Sequence, residues 1–122
     1  MNELAKEINN IAHDKGWWKN PRETGTILML MVSELSEACE ADRHNKYANR
    51  ELYESVDDTG RNLHEAFSFE SCIKDSFEDE LADTVIRILD LCGEMDIDID
   101  WFIKEKIKFN KTRPYKHGNK KY

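Results

Sequence analysis

The chain has 122 residues, enough for one domain spanning 1–122 and too few for two independent cores. It is 35% charged and 39% hydrophobic with a net charge of −7, which argues against a general DNA-binding surface. No run of about 18 apolar residues exists to span a membrane.

The charge is uneven. From Lys106 to Tyr122 there are seven basic residues and no acids, so the rest carries eleven basic residues against twenty-five acids. An acidic body with a basic tail suits a small polyanion held between cations and metal-bearing carboxylates, not a nucleic-acid polymer. Helical chains this short often complete their core against a copy of themselves, so a homo-oligomer is expected. The N-terminus, M-N-E-L-A-K-E-I, lacks the basic and then apolar profile of a signal peptide. Cys39, Cys72 and Cys92 form no C-x-x-C pair and lie in or beside apolar helical stretches. They are expected to be reduced, inert core thiols of a cytoplasmic protein.

Glycine and proline are scarce and strict alternation is absent, so the expected fold is all-α, a four-helix-type bundle. The first helix covers about Asn2 to Lys15, with Leu4, Ile8, Ile11 and Ala12 on one stripe. G-W-W-K-N-P-R-E-T-G then reads as a connector. A second helix runs from about Thr26 to Asn45. Residues 46–74 are sparse in apolar groups and read as a short helix, a turn at Asp57-Asp58-Thr59-Gly60, and an irregular or helical piece. A third helix spans about Asp75 to Gly93, with Gly93 as its stop. A fourth begins near Asp98 or Asp100 and ends at about Lys111, before Arg113-Pro114. Residues 112–122 form a basic tail.

Two of these helices carry acids where apolar residues are expected. At about 100° per residue, Glu34 shares a stripe with Ile27, Leu30, Ala38 and Ala41, and Glu37 follows one turn on. On the third helix, Glu80 and Asp83 lie at i, i+3, beside the stripe Phe77, Leu81, Val85, Ile88, Leu89 and Cys92. The first pair is expected to sit deeper than the second. Buried carboxylates need a compensating cation. Oxygen-only ligands suit Mg²⁺ or Mn²⁺. Zinc and a ferritin-like di-iron site are disfavoured, because no Cys/His cluster and no Glu-x-x-His occurs. The pairs Glu37/Glu40, Glu51/Glu54 and Glu54/Asp57 share the spacing but lie outside any long apolar stripe. Pairing of Glu34 and Glu80 with a cation such as Arg87 is the structural alternative.

The tail offers Asn110, Lys111, Arg113, Lys116, His117 and Lys120 as donors for a compact anion. Trp17 and Trp18 precede the first acidic helix, where one ring could stack on a base or cap the helices.

Together E-L-S-E at Glu34–Glu37, E-L-A-D at Glu80–Asp83 and the closing F-N-K-T-R-P-Y-K-H-G-N-K-K resemble the MazG-like nucleoside triphosphate pyrophosphohydrolases. Residues 46–74 have no counterpart in the resemblance and read as an insertion; Ser33 stands where many members carry a further acid. The resemblance implies an all-α homodimer or homotetramer that hydrolyses a (d)NTP between the α- and β-phosphates. It further implies that Glu34, Glu37, Glu80 and Asp83 hold Mg²⁺ and that Glu37 and Glu34 are catalytic, Glu37 taking the proton of the attacking water. Alternatives are another metal-dependent nucleotide phosphohydrolase, acting on dUTP, a diphosphate or an alarmone-like substrate, and a non-catalytic helical adaptor.

Overall fold

A computed structural model describes residues 1–122. It is helical throughout: α1 (Asn2–Asp14), α2 (Thr24–Arg43), α3 (Arg50–Tyr53), α4 (Phe69–Cys72), α5 (Phe77–Glu94), α6 (Ile99–Thr112) and α7 (Lys116–Asn119). No strand forms, and the one β-bridge joins Val56 to Asn62. The four long helices fall within about two residues of the sequence expectation. Their contacts group into two compact units, Trp18–Ile88 and a second made of Met1–Trp17 with Leu89–Tyr122.

In the unit of the chain ends, α1 and α6 begin together. The Asp100 carboxylate accepts from the N-terminal ammonium and from the Asn2 amide (2.9 Å), while Asn2 donates to Asp98 (2.7 Å). Asp98 also caps α6, accepting from Trp101 N–H at 3.1 Å. Acids at two helix N-termini satisfy orphan donors and oppose both dipoles. The last turn of α5 packs on α1 through Gly93, where a Cβ would come within 2.7 Å of the Ala5 carbonyl and of Asn9 Cβ. Gly93 is therefore not a helix stop; α5 runs on through it to Glu94, and the missing side chain permits close helix contact. Asn9 and His13 meet Glu94 at 3.0 and 2.6 Å beside this contact. α7 is a left-handed turn, with φ between 49° and 92° at Lys116, His117, Gly118 and Asn119.

In the other unit, α2 buries Ile27, Met31, Glu34, Ala38 and Ala41. Met31, not Leu30, completes the stripe, a rotation of one position. Residues 46–74 form α3, a turn and α4. Asp57 organises the turn, accepting from Thr59 N–H at 2.9 Å, Thr59 Oγ1 at 2.6 Å and Arg61 N–H at 3.0 Å, with Gly60 at φ +83°. Asn49 and Ser68 cap α3 and α4, and the Asn49 amide bonds the Cys72 carbonyl (2.8 Å) to tie the two together. Cys72 and Cys92 are buried as expected, but Cys39 is exposed, one position past the buried Ala38 and so on the outer side of α2.

Candidate metal centre

Three of the four proposed metal-binding acids converge. Carboxylate oxygens of Glu34 and Glu37 on α2 and Glu80 on α5 all lie within 4.8 Å of one another. Glu34 and Glu80 are buried, at 8% and 6% exposure, and Glu37 is exposed at the rim. The local reason is register. On α5 the inward row is Ser76, Glu80 and Thr84, at successive i, i+4 positions. Ser76 Oγ caps the helix start by accepting from Asp79 N–H, and Thr84 Oγ1 donates to the Glu80 carbonyl at 3.0 Å. Both buried hydroxyls are thus satisfied. Of the apolar stripe expected to face inward, Leu89 and Cys92 are buried and Phe77 is half-buried, but Leu81, Val85 and Ile88 are 38–45% exposed. Glu80 therefore lies as deep as Glu34, not at a shallower boundary.

Asp83 stands outside the three-oxygen cluster and is exposed. Its carboxyl is still raised, by partial burial, by Asp79 and by Glu34, with Glu37 adding and Arg87 opposing.

The two buried acids differ in how their charge is met. Arg87, one turn beyond Asp83, holds Glu34: Nε and Nη2 lie 2.6 and 2.5 Å from Oε1. Both contacts fall on one oxygen, so Oε2 lies outside the pair. The ion-pair alternative is thus realised for Glu34, although Arg87 remains 38% exposed. It is not realised for Glu80. Burial raises the Glu80 pKa to about 7, reinforced by the Glu37 charge, a hydrogen bond with Glu37, and the Glu34 and Asp83 charges. No cation offsets them. A buried carboxylate surrounded by carboxylates can hold a proton or bind an external cation. Three hard oxygen donors from two rigid helices fit Mg²⁺ or Mn²⁺ and offer no soft ligand.

A cleft of about 430 Å³ opens beside the cluster, lined by Glu37, Glu40, His44, Lys46, Asp75 and Glu80, with Ala41. Sequence reasoning gave Lys46 and His44 no role. Lys46 is held from two sides: its amide donates to the Ala41 carbonyl at 2.8 Å, and its carbonyl accepts from the Phe77 amide at 2.9 Å. Asn45 and Asp75, at φ 53° and 59°, make the left-handed bends that bring these segments together. After glycine, Asn and Asp tolerate that conformation best. The only hint in sequence is Asn45 directly after a helix, which marks a reversal but not what it faces.

No protein-family model, curated protein or solved structure matches this chain.

The other sequence candidates are placed as follows. Trp17 is 66% exposed, and Trp18 is half-buried with the Arg22 guanidinium 5.2 Å from its ring centroid. Asn110, Lys111, Lys116, His117 and Lys120 are exposed, and Arg113 is half-buried, 5.8 Å from the Phe109 ring centroid. All six belong to the unit of the chain ends, whereas the carboxylates belong to the other. Of the decoy acids, Glu40 and Glu54 are exposed and pair with Arg43 and Arg50, while half-buried Asp57 holds its turn and pairs with Arg61.

Proposed function

We propose that the protein is a Mg²⁺-dependent nucleoside triphosphate pyrophosphohydrolase of the MazG-like kind, cleaving between the α- and β-phosphates. The observation that carries this is Glu80, buried against two further carboxylates with no side-chain cation beside it. The order of the acidic pairs and the C-terminal block support the substrate assignment.

Glu34, Glu37 and Glu80 would hold the cation, with Asp83 at the edge of the set. A divalent ion there supplies Lewis-acid charge against phosphate oxygens. The chain's own groups divide the remaining work. Arg87 fixes the position of the Glu34 carboxylate. Glu37, the exposed member, accepts the proton of the attacking water and returns it to solvent. Lys46, with His44, lies on the cleft shared with Glu37 and Glu80 and neutralises charge on the leaving pyrophosphate. The roles of Trp17, Trp18, Asn110, Lys111, Arg113, Lys116, His117 and Lys120 in substrate binding rest on the resemblance. The uncovered rows Leu28, Val32 and Leu35 on α2 and Leu81, Val85 and Ile88 on α5 support a homodimer or homotetramer.

Incubation with a panel of ribo- and deoxyribonucleoside triphosphates and Mg²⁺, followed by chromatography, tests the reaction. A nucleoside monophosphate and pyrophosphate in equal amounts are expected. A diphosphate with orthophosphate would overturn the bond assignment, and no turnover of any substrate would leave the helical adaptor.

A further inference from the structure

On the Asp83 flank of α5 lies a second concavity, a groove of about 960 Å³. Its apolar lining comes from Phe69 and Ile73 at α4 and from Ala82 and Ile86 on α5, and Arg50 and Lys74 supply cations. The volume is in the range of sites for small organic ligands, and the apolar walls are rimmed by charged side chains, Arg50 and Lys74 against the acids Glu70, Asp75, Glu78, Asp79 and Asp83. The groove exists because of residues 46–74, the segment with no counterpart in the MazG-like resemblance. Phe69 is positioned by Tyr53, whose ring meets it edge-on at 6.1 Å and stacks on His64 at 4.7 Å.

The groove borders the carboxylate site along α5. Asp79 and Asp83 line it, and both stand within one turn of Glu80 on α5. Asp75 borders both this groove and the cleft that contains Lys46. A ligand with its charged end at the carboxylates has this groove within reach of its uncharged end.

We propose that this groove is the nucleoside subsite, the base lying against Phe69, Ile73 and Ile86. The assignment rests on the nucleotide reading above and makes the α3–α4 segment the determinant of base preference. A flat ring with polar edges matches apolar walls interrupted by charged groups. A second copy's apolar helix face does not, because Arg50, Lys74, Glu70 and Glu78 would have to be desolvated against it. The cations are available: Arg50 is engaged only by exposed Glu54 (2.8 Å) and Lys74 only by exposed Asp75 (3.8 Å). Exposed pairs of this kind exchange partners at little cost.

The test is calorimetric binding to the full chain, with Mg²⁺, of non-hydrolysable α,β-imido nucleoside triphosphates bearing different bases, against inorganic tripolyphosphate. Ile73→Trp fills the groove, and Phe69→Ala removes an exposed ring, so one of the two reports even if the other fails to fold. The expected result is nucleotide binding weakened at least tenfold and the ranking of bases altered, with tripolyphosphate affinity unchanged within twofold. Equal weakening of both ligands, or of neither, would overturn the subsite. So would wild-type protein that binds tripolyphosphate as tightly as nucleotide, an outcome that leaves the phosphate site standing. Wild-type protein that binds neither would overturn the subsite and the nucleotide reading together.

Discussion

Glu37→Gln is expected to lower turnover about 10²- to 10⁴-fold, the usual contribution of a positioned general base. The fold should not change, because Glu37 is exposed and its replacement is isosteric. Steady-state kinetics and thermal melting on the same preparation check both halves. Glu51→Gln, at another i, i+3 pair but on a solvated helix start, should leave turnover within about twofold of wild type. A Glu37→Gln variant of unaltered turnover would remove Glu37 from the chemistry. A variant that unfolds would make it a structural residue.

Glu80→Gln should stabilise the protein in the absence of divalent cation, and increasingly so as pH rises. The Glu80 pKa moves from the ordinary 4.5 to about 7 in the folded state, so between those values the folded chain binds the extra proton. Stability contributed by that proton is present below pH 4.5 and is lost as pH rises through 7. Glutamine carries no such penalty. The difference between variant and wild type should be near zero at pH 4.5 and grow to on the order of 3 kcal/mol above pH 8. Burial of Glu80 at 6% exposure justifies treating this as a stability term. Asp83, also raised, adds to the same trend in wild type. The carboxyls of Asp57, Glu94, Asp98 and Asp100 are held below their ordinary values by hydrogen bonds and have the opposite sign. They are common to both proteins and cancel in the comparison. Urea unfolding at intervals from pH 4.5 to 9 measures the difference. Parallel stability curves would mean that Glu80 is not desolvated as described.

How much of this was legible in the sequence follows from what periodicity can report. Helix limits were, because the 3.6-residue pattern, the Asp98 cap and the scarcity of glycine act locally. The face of α5 was legible only towards its C-terminal end, where Leu89 and Cys92 are buried as expected. Period analysis turns the most apolar stripe inward, yet here Glu80 and Thr84 are covered while Leu81 and Val85 are exposed. A polar row can face inward when its groups find partners, as Thr84 does with the Glu80 carbonyl. Gly93 was misread for a related reason: a glycine near a helix end suggests termination, and only the α1 backbone shows that it permits packing. The Glu34, Glu37 and Glu80 set was legible because acids within apolar helices are costly enough to require explanation. Lys46 was not, since its position depends on contacts with Ala41 and Phe77 across a reversal of the chain.

That reversal also bears on why the site is preorganised. Glu34 and Glu37 are one turn apart on a 20-residue helix, and Glu80 lies in the first turn of an 18-residue helix capped by Ser76. The carboxylates are therefore held by backbone geometry, and a cation entering the cluster has few side chains to reorganise. Arg87 already satisfies one oxygen of Glu34, which lowers the repulsion that three converging acids would otherwise impose.

Diffraction from crystals soaked in Mn²⁺, with data collected for anomalous scattering, shows where a divalent cation binds. A peak is expected within metal–oxygen bonding distance of Glu34, Glu37 and Glu80, with Arg87 still beside Glu34, and no such peak in crystals of Glu80→Gln. Wild-type crystals in which the only Mn²⁺ lies elsewhere, with Glu80 still among its three carboxylate neighbours, would contradict that expectation.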